Sequence, residues 1–316
     1  MLKLAQNYNL SKGLIVKSTG SWYYVKDGEG SYIQCKIKGN FRLHEIKATN
    51  PVAVGDIIEY TLMKDGSGLI TQIYPRKNYI IRKASNLSKQ YQLIAANIDK
   101  AILLISLAQP KTLLGFIDRF LVSAEAFRIP VVLIFNKIDL YSTSEKTYLQ
   151  ELISLYEKIG YQCLAISLEE NYNLDKLSTL FTDQICIIAG NSGVGKSTLV
   201  NYLDPAIKAR TAKVSAHHKS GQHTTTNAEM YFLSNGACLI DTPGIKGFGT
   251  VDIEKEELFH FFPEIFTISK QCKYNNCLHI NEPDCAVIGA VQNNEISQSR
   301  YHNYLDLLIS VEDKYR

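Results

Sequence analysis

The parts of a nucleotide site occur along this chain in a rotated succession, and that succession restricts the fold more than any other feature. Asn136-Lys137-Ile138-Asp139, a tetrapeptide of the guanine-reading type, comes first. The glycine-rich loop Gly190-Asn191-Ser192-Gly193-Val194-Gly195-Lys196-Ser197 follows it, and Asp241-Thr242-Pro243-Gly244 comes after both. Ordinary small GTPases place the phosphate loop first and the base-reading tetrapeptide last. One pocket can be assembled from the rotated order only if tertiary structure brings the segments together, as in a circularly permuted GTPase domain.

The surrounding pattern supplies the scaffold such a site needs. From about residue 91, apolar runs read as strands over Ala101–Ser106, Val131–Asn136, Gln162–Ser167, Ile185–Ala189, Met230–Ser234 and Ala237–Asp241. Leu113–Phe127, Ser144–Ile159 and Lys196–Leu203 have helical spacing between them. Near-continuous apolar strands alternating with helices predict a largely parallel sheet covered on both faces. Only Asn235-Gly236 joins the last two strands, which calls for an antiparallel hairpin.

Each motif carries a chemistry. In the loop at 190–197, glycines let successive N–H groups turn onto phosphates, and the helix that follows adds its dipole. Lys196 is suited to the β- and γ-phosphates, Ser197 to Mg²⁺ through its hydroxyl, and Thr198 continues the first turn. Asp139 can accept from guanine N1–H and the N2 amino group, where adenine offers neither donor. Two charge-assisted hydrogen bonds of ~1.5–3 kcal/mol each give a discrimination of order 10²–10⁴. The Lys137 stem would cover the base plane. Ser167, ending the next strand, is either a second base contact or a turn serine.

Asp241 reaches Mg²⁺ through water in this reading, while the Gly244 N–H senses the γ-phosphate. Ile245 stands where Ras-like enzymes place a water-orienting glutamine, so slow intrinsic hydrolysis is expected. Gly221-Gln222-His223-Thr224-Thr225-Thr226 occupies the switch I position. Either Thr224 or Thr225 is expected to ligate Mg²⁺. His223 is either the group that positions water or a solvent-facing loop histidine.

The 316-residue chain is 46% apolar and 21% charged, with room for two or three domains. Its charge is uneven: residues 1–90 carry 14 Lys/Arg against 6 Asp/Glu. That basic segment is the natural partner for a polyanion. Within it, Gly13–Thr19, Trp22–Lys26, Tyr32–Ile37 and Ile57–Met63 read as short strands separated by turn signals. About five strands in this length suit an OB-type barrel at 1–75, a fold that binds single-stranded nucleic acid. Lys36, Lys38, Arg42 and Lys47, with Trp22, Tyr23, Tyr24, Tyr32 and Phe41, supply cations and rings, although aromatics in a small barrel also serve as core. Residues 76–90 read as a basic linker and 91–250 as the permuted GTPase domain.

Beyond residue 250, Asp252–Phe262 reads as an acidic helix and Tyr301–Lys314 as a final one. Between them Cys272, Cys277, His279 and Cys285 offer four ligands in a short span. A closed Cys₃His set suits one structural, tetrahedral Zn²⁺ in an α-helical domain at 251–316. No apolar run approaches the ~20 residues that span a bilayer, and Met1–Gln6 opens no signal sequence. A cytoplasmic chain without a membrane partner is expected.

Taken together, these residues closely resemble the RsgA/YjeQ family of ribosome-small-subunit-dependent GTPases. The resemblance rests on the permuted order and on Ala95-Ala96-Asn97-Ile98-Asp99 ahead of the first GTPase strand. It rests equally on the sequence at 221–226, on 241–244 and on the Cys/His spacing at 272–285. It implies GTP and GDP as ligands, and the small (30S) ribosomal subunit with its 16S rRNA as partner in late maturation. It implies hydrolysis stimulated by that subunit, assisted by His223, in a monomeric protein. The alternative class is a nucleotide-gated RNA-binding module in which hydrolysis is incidental.

Overall fold

Alternating β-branched and aromatic side chains build five short strands at the start of the computed structural model, which describes residues 10–37, 51–85, 88–205, 228–241 and 253–312. They are β1 (Leu10–Ser18), β2 (Tyr23–Asp27), β3 (Tyr32–Ile37), β4 (Ile57–Leu62) and β5 (Gly68–Ile73). Antiparallel pairing joins β1 to β2, β2 to β3, β4 to β5 and β1 to β4, while β3 and β5 run parallel. The circuit closes into a barrel, with Ile15, Val25, Cys35, Ile58 and Ile70 fully buried. Burial pushes the Cys35 thiol up to about 12, as expected of an inert core cysteine.

Residues 76–90, expected to be a linker, instead hold β6 (Tyr79–Ser85) and the start of β7 (Ser88–Ala96), an antiparallel hairpin. Basic density reports charge and says little about backbone pairing; the run Tyr79-Ile80-Ile81 was the better signal. The residues ahead of this hairpin are also pinned. Arg76 grips the buried Asp56 carboxylate with two hydrogen bonds of 2.6 Å and the Pro51 carbonyl at 2.7 Å.

The segment 95–99 acts as a weld. The Ala96 N–H donates to the Val54 carbonyl at 2.8 Å and the Asn97 amide to the Gly55 carbonyl at 2.9 Å. The Asp99 carboxylate accepts the Ile185 N–H at 2.7 Å and pairs with Lys77. Ile185 opens β11 (Ile185–Ala189), which runs parallel to β13 (Cys238–Asp241). β12 (Glu229–Phe232) pairs antiparallel with β13 across the Asn235-Gly236 turn, as its sequence requires. It also pairs with β1 at Glu229 and Lys17, whose side chains meet at 3.0 Å.

The chain divides into two compact units that cut across the consecutive boundaries expected from sequence. The first gathers Met1–Asp99, Phe181–Ile187 and Asp204–Ile245; the second gathers Lys100–Leu180, Ile188–Leu203 and Lys246–Arg316. In the second, β8 (Lys100–Ile105), β9 (Val131–Phe135) and β10 (Gln162–Ala165) are parallel, with β9 central. Four helices accompany them: α1 (Leu114–Ala126), α2 (Thr143–Ile159), α3 (Leu174–Phe181) and α4 (Lys196–Leu203). A capping box between Ser142 and Glu145 starts α2, and left-handed Gly160 ends it.

The acidic stretch Asp252–Phe262 is not the helix expected: its regular part is a 3-10 helix over Leu258–Phe261. Pro263 explains this, because it drives Phe262 into extended backbone and starts a new helix at N1. That helix is α5 (Pro263–Ser269), followed by α6 (Ala286–Gln292) and α7 (Gln298–Glu312). Ile253, Leu258, Phe262, Ile265, Val287, Tyr304 and Leu308 share one core with Val122 of α1. A buried polar knot reinforces it. Arg300 binds Asp118 at 2.7 Å and Glu264 at 2.7 and 3.0 Å, while Tyr156 and Asn303 also donate to Asp118. Among the described residues no helix is long and apolar enough to cross a membrane.

Candidate functional site

β9 is buried throughout and delivers Asn136 to its C-terminal end, the place where open α/β sheets bind ligands. Asn136 is itself buried, and its side-chain amide reaches across to the phosphate loop. Its Nδ2 donates to the Val194 carbonyl at 2.9 Å, and its Oδ1 accepts the Leu168 N–H at 3.4 Å. One side chain thus ties the tetrapeptide 136–139 to the loop 190–197 and to the end of β10, despite their reversed order along the chain. Lys137 takes left-handed backbone (φ 65) and sends its ammonium to the Gln109 carbonyl at 2.8 Å. Ile138 begins a 3-10 turn that presents Asp139. The Ser167 hydroxyl donates to Asp139 at 2.6 Å and accepts the Glu170 N–H at 3.0 Å. Ser167 is fully buried, so its hydroxyl orients the carboxylate.

The phosphate loop leaves β11 through Gly190 (φ 140) and enters α4 after Gly195 (φ 106). A Cβ on Gly190 would lie 2.4 Å from the Leu104 carbonyl oxygen, and one on Gly195 would lie 2.5 Å from Asn136 Nδ2. Both positions therefore require glycine, for backbone angle and for space. Val194 is buried under the loop, while Ser192, Ser197 and Thr198 are exposed and Asn191 is half-buried. The Lys196 ammonium folds back onto the carbonyls of Gly190 and Asn191 at 2.7 and 2.6 Å. Burial lowers its pKa, favouring a partner of opposite charge. Asp241 ends β13, its side chain lying outside the described residues together with His223, Thr224, Thr225, Gly244 and Ile245.

The Cys/His residues form a second candidate centre. Ligand atoms of Cys272, Cys277, His279 and Cys285 all lie within 4.8 Å of one another. Sγ of Cys285 is 3.9 Å from that of Cys272 and 3.6 Å from that of Cys277; His279 Nδ1 is 3.6 and 3.4 Å from Cys272 and Cys285. A tetrahedron of thiolates about 2.3 Å from zinc has edges of about 3.8 Å, so the donor set and spacing fit Zn²⁺. His279 Nε2 is the one buried side-chain N or O atom without a hydrogen-bond partner among the described residues. Burial pushes the Cys277 thiol up to about 12, so a metal entering here displaces protons.

Groups that spacing did not single out hold this centre. Glu282 accepts the N–H groups of Leu278, Ile280 and Asn281 at 2.6, 2.8 and 3.1 Å, fixing the loop around His279. Tyr301 and Tyr304 donate to the carbonyls of His279 and Leu278, each at 2.7 Å. Their signal in sequence was only tyrosines on one face of the last helix.

On the barrel, Tyr23 is core, whereas Tyr32 is 59% exposed and Lys36 lies over the Trp22 ring at 4.1 Å. Tyr24 accepts from Gln34 on the same outer face at 3.2 Å. Lys38, Phe41, Arg42 and Lys47 lie outside the described residues.

A phosphate loop braced by a base-reading tetrapeptide that precedes it in the chain defines a circularly permuted P-loop GTPase, an enzyme that hydrolyses GTP. Comparison with known proteins narrows the class. A family profile described as the RsgA GTPase matches residues 73–251, and one described as the RsgA N-terminal domain matches residues 12–70. The chain belongs to the RsgA GTPase family. It is 52% identical over 306 residues to "Small ribosomal subunit biogenesis GTPase RsgA 2" of Bacteroides thetaiotaomicron, covering 96% of this chain and 99% of that one. It is 49% identical over 310 residues to the protein named RsgA in Flavobacterium psychrophilum, covering 96% and 94%. Among solved structures, YjeQ from Thermotoga maritima matches with a TM-score of 0.77 and 34% identity over 96% of this chain and 98% of that one. YloQ, described as a circularly permuted GTPase, matches with a TM-score of 0.76 and 32% identity over 99% of both.

Proposed function

We propose that the pocket between residues 136–139 and 190–198 binds GTP and GDP, and that turnover of GTP there serves maturation of the small ribosomal subunit. The observation carrying this reading is the Asn136–Val194 hydrogen bond, which joins base selection and phosphate binding in one site. Backbone N–H groups of Asn191, Ser192, Gly193, Val194 and Gly195 cradle the phosphates. Lys196 exchanges two loop carbonyls for phosphate oxygens, a swap of weak acceptors for charged ones. Asp139, oriented by Ser167, accepts from the guanine edge while Lys137 covers the ring beside Ile138. Ser197, Thr224 or Thr225, and Asp241 hold Mg²⁺, which neutralises charge on the phosphate oxygens when bound. His223 orients the attacking water and Gly244 senses the γ-phosphate.

The relatives' names favour the small subunit and its 16S rRNA as partner. The outer face of the barrel, with Trp22, Tyr24, Tyr32 and Lys36, offers stacking rings beside cations for that RNA. Cys272, Cys277, His279 and Cys285 hold one structural Zn²⁺. The protein acts as a cytoplasmic monomer, with division of labour among a barrel at 1–75, a GTPase segment at 91–250 and a metal-holding segment at 251–316.

A GTPase assay titrated with purified small and large subunits tests this. Turnover should rise with small subunits alone, and His223→Ala should lower the stimulated rate. Equal turnover with either subunit, or with neither, would overturn the reading.

A further inference from the structure

Tyr141 belongs to neither nucleotide motif, yet its phenol stands between them. It is buried, at 4% exposure, immediately after the 3-10 turn that presents Asp139. Its hydroxyl donates to the Asn136 carbonyl at 2.9 Å and accepts the Leu107 N–H at 2.7 Å. Burial holds the phenol above its ordinary pKa, so it remains a donor at neutral pH.

Leu107 opens the loop that follows β8, and this loop is closed at its base. The Thr112 N–H donates to the Ser106 carbonyl at 2.8 Å, and the Ser106 N–H donates to the Thr112 hydroxyl at 3.2 Å. The exposed tip then reaches both motifs. The Gln109 carbonyl accepts the Lys137 ammonium at 2.8 Å. Pro110 Cδ lies 3.4 Å from where a Cβ on Gly193 would stand, against the crest of the phosphate loop. The tyrosine hydroxyl is thus the fixed point from which one loop touches the residue that covers the base and the loop that holds the phosphates.

We propose that Tyr141 is a positioning residue for nucleotide retention: through Leu107 it sets the loop 106–112, which braces Lys137 and Gly193 and slows release of guanine nucleotide. The inference rests on the reading of the pocket as a guanine-nucleotide site. Removing the hydroxyl leaves the Leu107 N–H and Asn136 carbonyl short of a partner and frees the loop to shift.

The test uses the full chain loaded with a fluorescent GDP and chased with unlabelled GDP. Tyr141→Phe should release it about 3–10-fold faster, the worth of roughly one hydrogen bond. KM for GTP should rise by a similar factor, with a smaller change in kcat. Pro110→Ala, at the exposed tip, should act in the same direction more weakly, and it decides the matter if the phenylalanine variant folds poorly. A hydroxyl that served only the core would lower Tm and leave the release rate alone. Wild-type retention of GDP with both variants releasing at its rate would overturn the proposal by itself. A wild-type chain that holds no labelled GDP would remove the pocket reading and the proposal together.

Discussion

The nucleotide pocket and the Cys/His centre lie in the same compact unit, and they solve opposite problems. In the pocket the motif side chains have internal partners: Lys196 rests on two carbonyls, Asn136 on Val194 and Leu168, Lys137 on Gln109, Asp139 on Ser167. In the Cys/His centre the sulfurs face one another and a half-satisfied imidazole. The first is built before its ligand arrives and exchanges one set of hydrogen bonds for another. The second gathers groups that only a cation holds together. Ligand removal should therefore leave the pocket standing and dissolve the centre.

The largest effect that could break this contrast is metal removal. Structural zinc contributes about 10–16 kcal/mol of apparent binding energy in small domains. Chelation, or Cys277→Ser, should melt α5–α7, read as lost helical circular dichroism and changed tyrosine fluorescence, and an unchanged spectrum would refute the contrast. Next comes Asp139→Asn, which should erase most of a ~10²–10⁴-fold preference for guanine over adenine nucleotides, measured by competition binding, without lowering the Tm of the free chain. Gly195→Ala is smaller and sharper. A Cβ at φ 106 and 2.5 Å from Asn136 Nδ2 should cost about 1–3 kcal/mol and loosen the brace, weakening nucleotide binding roughly tenfold.

The smallest effect belongs to Glu282. Burial alone would raise its pKa, but the N–H groups of Leu278, Ile280 and Asn281 outweigh that and hold it below the usual range. A depressed folded value means its stabilisation is complete above the unfolded pKa of about 4.3 and lost as pH falls through the folded value. Glu282→Gln should cost about 1 kcal/mol at neutral pH and flatten the acid limb of the stability curve below pH 4. A variant with an unchanged acid limb would show that the His279 loop needs no such brace.

Much of both sites was legible because their chemistry is local in sequence. The glycines at 190, 193 and 195, the Asn-Lys-Ile-Asp run and the Cys/His spacing each declare a backbone or donor requirement within a few residues. What stayed hidden acts across long separations. Arg300 meets Asp118, Tyr141 meets Leu107, and Ser167 turns onto Asp139, pairs that no periodicity or spacing relates. The hairpin of β6 and β7 was masked by charge, and the acidic run before Pro263 looked helical because composition outweighed the stop that proline imposes at Phe262.

The knot around Arg300 has a practical consequence for anyone dissecting the molecule. A fragment trimmed to the nucleotide-binding segment would lose α7 and with it the guanidinium, stranding the Asp118 carboxylate inside α1 beside a bared patch that includes Val122. Removing one member of such a pair typically costs about 3–5 kcal/mol, a large share of what a domain has to spare. The shortest workable catalytic piece must therefore carry the last helix, and shorter ones should be recovered as precipitate.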